Sequence, residues 1–264
     1  MRRLSLPAKL IILVLLIAGI AWRLSYAPEA GEAGNAAPAT ATSPCETKTF
    51  EGSTFTACRY DSRLHRIALA DARDGKPLRG FEALEESLDG DAPNLLFAMN
   101  AGMYDEEGMP IGLYVEDGKQ LHAINLRDGP GNFHMKPNGV FAVDEGGRVS
   151  IAPSGQWKGR KALFASQSGP MLLIGGKLHP KIQADGPSLH IRNGVGTADG
   201  RTAWFVISED PVSFGRFARF LRDGLGCRDA LFFDGTVSSL WDKGADRMDA
   251  GYPLGPMVAV LRRP

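Results

Sequence analysis

Glycine punctuates this chain so often that long uninterrupted helices are ruled out for most of it. There are 32 glycines in 264 residues, about one in eight against an ordinary roughly 7%. They follow no collagen-like period, so they mark tight turns between short apolar runs, the pattern of a strand-rich domain. Gly112–Asn125 (GLYVEDGKQLHAIN) reads as a hairpin turning at Asp117-Gly118, a strong short-range hairpin signal. Val140–Ile151 and Met171–Leu178 repeat the scheme around Gly146-Gly147 and Gly175-Gly176. Single strands are predicted at Thr54–Tyr60, Leu64–Leu69, Leu95–Met99, Trp204–Ile207, Leu231–Phe233 and Met257–Leu261. Two segments carry helical spacing instead: Phe81, Leu84 and Leu88, and the stripe Phe214, Phe217, Phe220, Leu221, Leu225, with Asp210-Pro211 as its start. The stripe is read as core packing rather than ligand contact. No period of 20–50 residues repeats, which sets aside solenoids and propellers. The fold class expected for 45–264 is α+β, one strand-rich domain of mixed or antiparallel sheets with hairpins and a few helices.

The first 44 residues read differently. Arg2, Arg3 and Lys9 precede an unbroken apolar stretch from Leu10 to Trp22, followed by Arg23. This is the pattern of an export signal or N-terminal anchor over 1–27. Pro28 directly after Ser25-Tyr26-Ala27 disfavours cleavage, so an uncleaved anchor in contact with the membrane is the preferred reading. Residues 28–44 are Ala, Gly, Pro and Thr with no large apolar side chain, a flexible linker. The expected location is therefore the bacterial periplasm or the outer face of the inner membrane. Net charge is zero and the prefix holds four of the 30 basic residues, so the domain has no basic field for nucleic acid. Oligomeric state leaves no mark in the sequence.

Export permits disulfides. Of three cysteines, Cys45 with Cys58 would close a short loop, and Cys58 with Cys227 would tie the first strand to the last third. Spacing leaves both open. No Cys-x-x-Cys or His-Glu-x-x-His occurs and the five histidines are scattered, which argues against zinc; no Gly-x-Ser-x-Gly elbow or Walker loop is present.

Polar residues gather instead where apolar runs end in glycine-bounded loops, the usual place for a site. Asn100 follows Leu95–Met99. Arg127-Asp128 opens the loop Arg127–Asn132, after the Asp117-Gly118 hairpin. Ser168-Gly169 precedes Met171–Ile174. Arg192 begins Arg-Asn-Gly-Val-Gly196, and Asp234-Gly235 with Ser238 follows a wholly apolar strand. Asp234 has the best placement for chemistry, an acid just beyond a buried strand. Arg127 and Arg192, planar forks amid glycines, suit phosphate or carboxylate.

Taken together, FAMNAGMY, PIGLYVEDGK, LRDGPGNFHMKPNGVF, SGPMLL, RNGVG and LFFDGTVSSLW resemble the phosphodiester glycosidase family, in its bacterial exported branch, over about Cys58 to Leu261. The usual Asp-Gly-Gly of the last motif is Asp234-Gly235-Thr236 here. The resemblance implies cleavage of a sugar-1-phosphodiester at the anomeric carbon, with an envelope glycan or glycoconjugate as substrate and no required cofactor. It also implies Cys58–Cys227 as the disulfide. On that reading Arg192, with Arg127 second, binds phosphate, and Asp234 stabilises the anomeric cation or activates water. Asn100, Asn138 and Ser238 orient hydroxyls or phosphate oxygens, while Asp128, Ser168, Gly169 and Gly235 line the substrate. Glu209 is the reserve carboxylate. Two alternatives stand beside it: Asp128, Glu209 and Asp234 assembling around Ca²⁺ or Mg²⁺ in a metal-dependent phosphodiesterase, and a non-catalytic glycan-binding protein.

Overall fold

The period-two alternation of the central strands sends their side chains into two different apolar layers. In strand Ser53–Asp61, Phe55 and Ala57 face one layer while Cys58 and Tyr60 face the other; in Thr202–Ser208, Val206 faces the first and Phe205 and Ile207 the second. A sheet buried on both faces needs such near-continuous apolar strands. The computed structural model describes residues 43–264, and the proposed signal or anchor and almost all of the linker lie outside them. Among the described residues no helix is long and apolar enough to cross a membrane.

Three sheets carry the fold, and every strand pairing among the described residues is antiparallel. The first has seven strands, in the order Cys45–Phe50, Ser53–Asp61, Thr202–Ser208, Asn193–Thr197, Asp229–Phe232, Met171–Ile174 and Lys177–Leu178. The second runs Val149–Pro153, Gly139–Val143, Phe164–Ser168, Tyr114–Glu116, Lys119–His122. The third runs Arg247–Met248, Leu240–Asp242, Leu95–Asn100, Met257–Arg262, His65–Ala70. Their inner faces meet in one core, where Phe205 packs edge-on against Phe97 of the third sheet and Phe141 of the second, at 5.6 and 5.7 Å between ring centroids. The α+β class expected from the sequence is what forms.

The predicted helices are present but short. Phe81–Ser87 buries Phe81 and Leu84 beside Trp241. The second runs Phe214–Arg219 and continues as a wider π turn through Gly224; its start is capped by Ser213, whose Oγ accepts from the Arg216 amide, two residues beyond the Pro211 expected to open it. Phe217, Phe220 and Leu221 cover the outer face of the first sheet, with Phe220 stacked on Phe55 at 4.1 Å.

The Cys58–Cys227 pairing is overturned. Cys45 and Cys58 are direct cross-strand partners in the first hairpin and form the disulfide, while Cys227 is a free, buried thiol. The reason is the alternation itself: Cys58 points into the inner core and Cys227 into the helix-covered layer, on the other side of the sheet.

Arg192–Gly196 is also not a loop. Residues Asn193–Thr197 form a central strand of the first sheet, and a Cβ on Gly194 would collide with the Leu231 carbonyl oxygen, while one on Gly196 would lie 2.7 Å from Cys227 Sγ. These glycines serve close packing within the fold rather than approach to a ligand.

Candidate active site

Strand Leu95–Asn100 is buried at every position and ends in a side-chain amide that must be satisfied inside the protein. Asn100 Oδ1 accepts from Asn193 Nδ2 at 2.7 Å and from the Ser239 amide at 2.9 Å, and its Nδ2 donates to the Asp234 carbonyl at 3.1 Å. Asn193 Nδ2 also reaches the Asn100 carbonyl at 3.0 Å, and its Oδ1 accepts from the Asp234 amide and Ser238 Oγ, both at 3.3 Å. Two buried asparagines, one at the end of the third sheet and one at the end of the first, thus grip the backbone of Asp234 from both sides.

That grip fixes the carboxylate. Asp234 Oδ1 accepts from the Thr236 amide at 3.1 Å, capping the short turn Gly235–Val237. Burial pushes its pKa above the usual aspartate value, opposed by the hydrogen bonds from Thr236. Tyr104 stands nearby: its hydroxyl is raised by burial first and by the Asp234 charge second. Ser168, at the end of a second-sheet strand, donates from Oγ to the Phe233 carbonyl, so the second sheet also closes on this corner. The result is a partly exposed carboxylate of raised basicity, held rigidly where the ends of all three sheets meet.

Arg192 lies one residue before Asn193 and leaves the strand on the opposite face. It is 2% exposed; Nε donates to the Val212 carbonyl at 2.8 Å and Nη2 to that of Ser188 at 2.9 Å, and the guanidinium sits 3.6 Å over the Phe214 ring. Phe214 packs against the helix-covered layer as expected and is also this cation's bed. Burial lowers the Arg192 pKa to about 10, which leaves it charged at neutral pH. No carboxylate pairs with it among the described residues. A buried cation without a counter-charge is costly, and that arrangement suits an arriving anion.

The other sequence-derived candidates are placed less favourably. Glu209 Oε1 accepts from Thr56 Oγ1 and Arg247 Nη1, each at 2.6 Å, and Arg247 also holds Asp249, so this carboxylate is spent in an ion network. Arg127 is exposed, its backbone amide donating to Asn125 Oδ1. Asp128 is exposed and paired with Lys136 at 2.7 Å, which holds its carboxyl below the usual range. Asn138 is fully buried, donating to the Phe133 carbonyl and accepting from Ser154, and packs on Gly169. Its bonds tie the 133–138 segment to Ser154. Gly235 lies against the Ile191 carbonyl. The alternative metal triad is corrected: Asp128, Glu209 and Asp234 do not assemble, and no group of three or more His, Cys, Asp or Glu suited to a metal occurs among the described residues.

Asn193, Tyr104 and Ser239 belong to the site but were not singled out in the sequence. Alternation was the available signal, since a polar residue next to Arg192 on the same strand must face the opposite side. A cavity of about 770 Å³ lined by Asp117, Asp144, Glu145, Trp157, Arg160 and Lys161 shares no lining residue with this corner.

Comparison with known proteins places the whole arrangement. The sequence profile of the phosphodiester glycosidase family matches residues 93–256, a span that contains Asn100, Ser168, Arg192, Asn193, Asp234 and Ser238. The chain belongs to the phosphodiester glycosidase family. A curated relative, uncharacterized protein YigE of Escherichia coli strain K12, is 41% identical over 167 residues, 63% of this chain and 65% of its own length. The match thus spans just under two thirds of that relative. Among solved structures, the catalytic domain of zebrafish N-acetylglucosamine-1-phosphodiester alpha-N-acetylglucosaminidase, auto-inhibited by its pro-peptide, superposes with a TM-score of 0.55 at 14% identity, covering 83% of this chain and 82% of that one. A hypothetical protein from Synechocystis gives 0.54 at 13% identity over 83% and 61%. A putative exported protein from Burkholderia pseudomallei K96243 gives 0.55 at 12% over 79% and 74%. At these identities the likeness is one of fold. This phosphodiester glycosidase homologue therefore has its family's architecture with the Asp234 corner inside the family-matched span.

Proposed function

We propose that this phosphodiester glycosidase homologue is an exported hydrolase that cleaves a sugar-1-phosphodiester at the anomeric carbon, its substrate an envelope glycan or glycoconjugate. The observation that carries the reading is Asp234: a carboxylate made more basic by burial, its backbone gripped by Asn100 and Asn193, inside the family-matched span. Glycosidases acting on ordinary O-glycosides use a carboxyl pair because an alkoxide leaves poorly without a general acid. Breaking the anomeric C–O bond of a sugar-1-phosphodiester releases a phosphate monoester, a stable anion, so one carboxylate suffices to stabilise the oxocarbenium-like carbon or to activate water. The departing charge calls for a cation. In this reading Arg192 supplies it as a buried, unpaired charge behind the corner, since its guanidinium lies on Phe214, on the face of the strand away from Asn193. The cross-strand disulfide agrees with export to an oxidising compartment.

The test is turnover of a panel of sugar-1-phosphodiesters by the full chain in ¹⁸O-water. The label is expected on the sugar, not on phosphate, and Asp234→Asn is expected to lower kcat by about a hundredfold or more. Label on phosphate, or an Asp234→Asn enzyme within a few-fold of wild type, would sink the assignment.

A further inference from the structure

Outside the hydrogen-bonded site, two buried polar atoms stand without a partner in one neighbourhood. Arg79 Nη1 and Asp71 Oδ1 are both enclosed and unbonded, and Asp71 is only 3% exposed. Each such group costs on the order of 1–3 kcal/mol unless something else requires it there. Arg79 is further held in a left-handed backbone conformation, φ 63°, unusual for a long side chain.

What Arg79 touches explains where that cost is spent. Its guanidinium carbon lies 4.8 Å from the centre of the Tyr104 ring. Its Nη1 occupies the space that a Cβ on Gly108 would fill, so the 105–108 turn closes over it. Its carbonyl accepts from the Leu254 amide at 3.0 Å. Tyr104 in turn donates from its hydroxyl to the Pro253 carbonyl, pairs with Pro110, and presses on Gly255, where the ring leaves no room for a Cβ. One residue on, the Pro256 carbonyl accepts from Ala101, next to Asn100. The chain of contacts runs from Arg79 through Tyr104 to the rim that carries Asp234.

We propose that Arg79 is a positioning residue for this site: its guanidinium over the Tyr104 ring, and Gly255 leaving room for that ring, hold it as the wall that keeps bulk water from the Asp234 carboxylate. The inference rests on the functional reading above only for its kinetic readout. The charged and titratable groups around this wall are Asp71, Asp105, Glu116 and Asp234. Asp71 stands near Arg79 with its Oδ1 unbonded, and the Arg79 guanidinium lies over the ring. Around Asp234 itself, the Thr236 amide donates to its carboxylate, the two asparagines bond its backbone, and its charge reaches the Tyr104 hydroxyl.

The experiment uses the full chain with ¹³C-labelled aspartate, the Asp234 signal being assigned by its absence in Asp234→Asn. With the wall loosened, water reaches the carboxylate and its titration midpoint falls. Tyr104→Ala and Arg79→Gln are each expected to lower it by about one pH unit, Arg79→Lys by less, and Tyr104→Phe, which keeps the ring, hardly at all. On a sugar-1-phosphodiester the acid limb of the rate profile moves down with it and kcat falls about tenfold with KM little changed. A loss of general stability would move neither the midpoint nor the limb. If Arg79→Gln does not fold, the contrast between Tyr104→Ala and Tyr104→Phe decides. An Asp234 midpoint unmoved in folded Tyr104→Ala overturns the proposal. If wild type turns over no phosphodiester, the functional reading fails and the titration still judges the wall.

Discussion

Replacing Asn193 with alanine tests the central idea that two amides hold the Asp234 corner together. Asn193 is fully buried and makes four side-chain hydrogen bonds: two donated to Asn100, at 2.7 and 3.0 Å, and two accepted, from the Asp234 amide and Ser238, at 3.3 Å. The two short bonds are worth about 1 kcal/mol each net, and stranding the Asp234 amide and part of Asn100 adds about 1 kcal/mol more. A loss of about 3 kcal/mol in a domain of this size lowers Tm by about 6–12 °C. The matched control is Asn138→Ala, which also removes a buried amide with two bonds but makes them to Phe133 and Ser154. Both variants are compared by thermal melting and by turnover of a sugar-1-phosphodiester, well below either Tm. Asn193→Ala is expected to lose activity at least tenfold more than Asn138→Ala at similar stability. Equal activities in the two folded variants would show that the asparagine pair is scaffold and that Asp234 is positioned by something else.

Stability should also report on Asp71, whose carboxyl burial and the neighbouring Glu116 push up to about 7 from 3.8 against the pull of Arg79. The folded state holds this proton more tightly than the unfolded one, so its contribution is full below about pH 4 and is lost as pH rises through about 7. Asp71→Asn, which stays neutral, is expected to melt several degrees above wild type at pH 8 and no higher at pH 4; a pH-independent difference would contradict the shift. Reduction of Cys45–Cys58, which closes a 13-residue separation, should cost about 3 kcal/mol. The same drop in Tm should follow in Cys227→Ser, and its disappearance there would restore the Cys58–Cys227 pairing.

Period and turn chemistry made most of the strands legible. Asp117-Gly118 turns where expected, between Tyr114–Glu116 and Lys119–His122, because few sequences other than Asp-Gly suit two successive left-handed positions. Asn193–Thr197 was unreadable as a strand for an equally physical reason: Asn-Gly-Val-Gly has the composition of a turn, and its strand state is imposed by neighbours that leave no room for a Cβ. Asp234 stood out because an acid directly after the apolar run Leu231–Phe233 has to sit at the rim of the sheet, where a charge can meet solvent or a ligand. Arg192 was legible as an anion-binding candidate only in type; that its guanidinium lies on Phe214, away from Asn193, depends on which face the strand turns to the helix. Glu209 looked free because Arg247, its partner, lies 38 residues away in sequence. The disulfide was missed for the converse reason, since likeness to a family spoke louder than the simple cross-strand adjacency of Cys45 and Cys58.

The asparagine pair carries a consequence for how this molecule comes into being. Asn100 and Asn193 are 93 residues apart, and strand Leu95–Asn100 is flanked by Leu240–Asp242 and Met257–Arg262, both near the C-terminus. Contacts of such long range are slow to form, because most of the chain's freedom must be lost before they return anything. The Asp234 corner therefore assembles only through long-range contacts, and a chain truncated before Met257 would lack an interior strand of its third sheet. Until those last strands dock, Asp234 is an ordinary solvated aspartate, and whatever chemistry it performs is withheld until synthesis and folding are both complete.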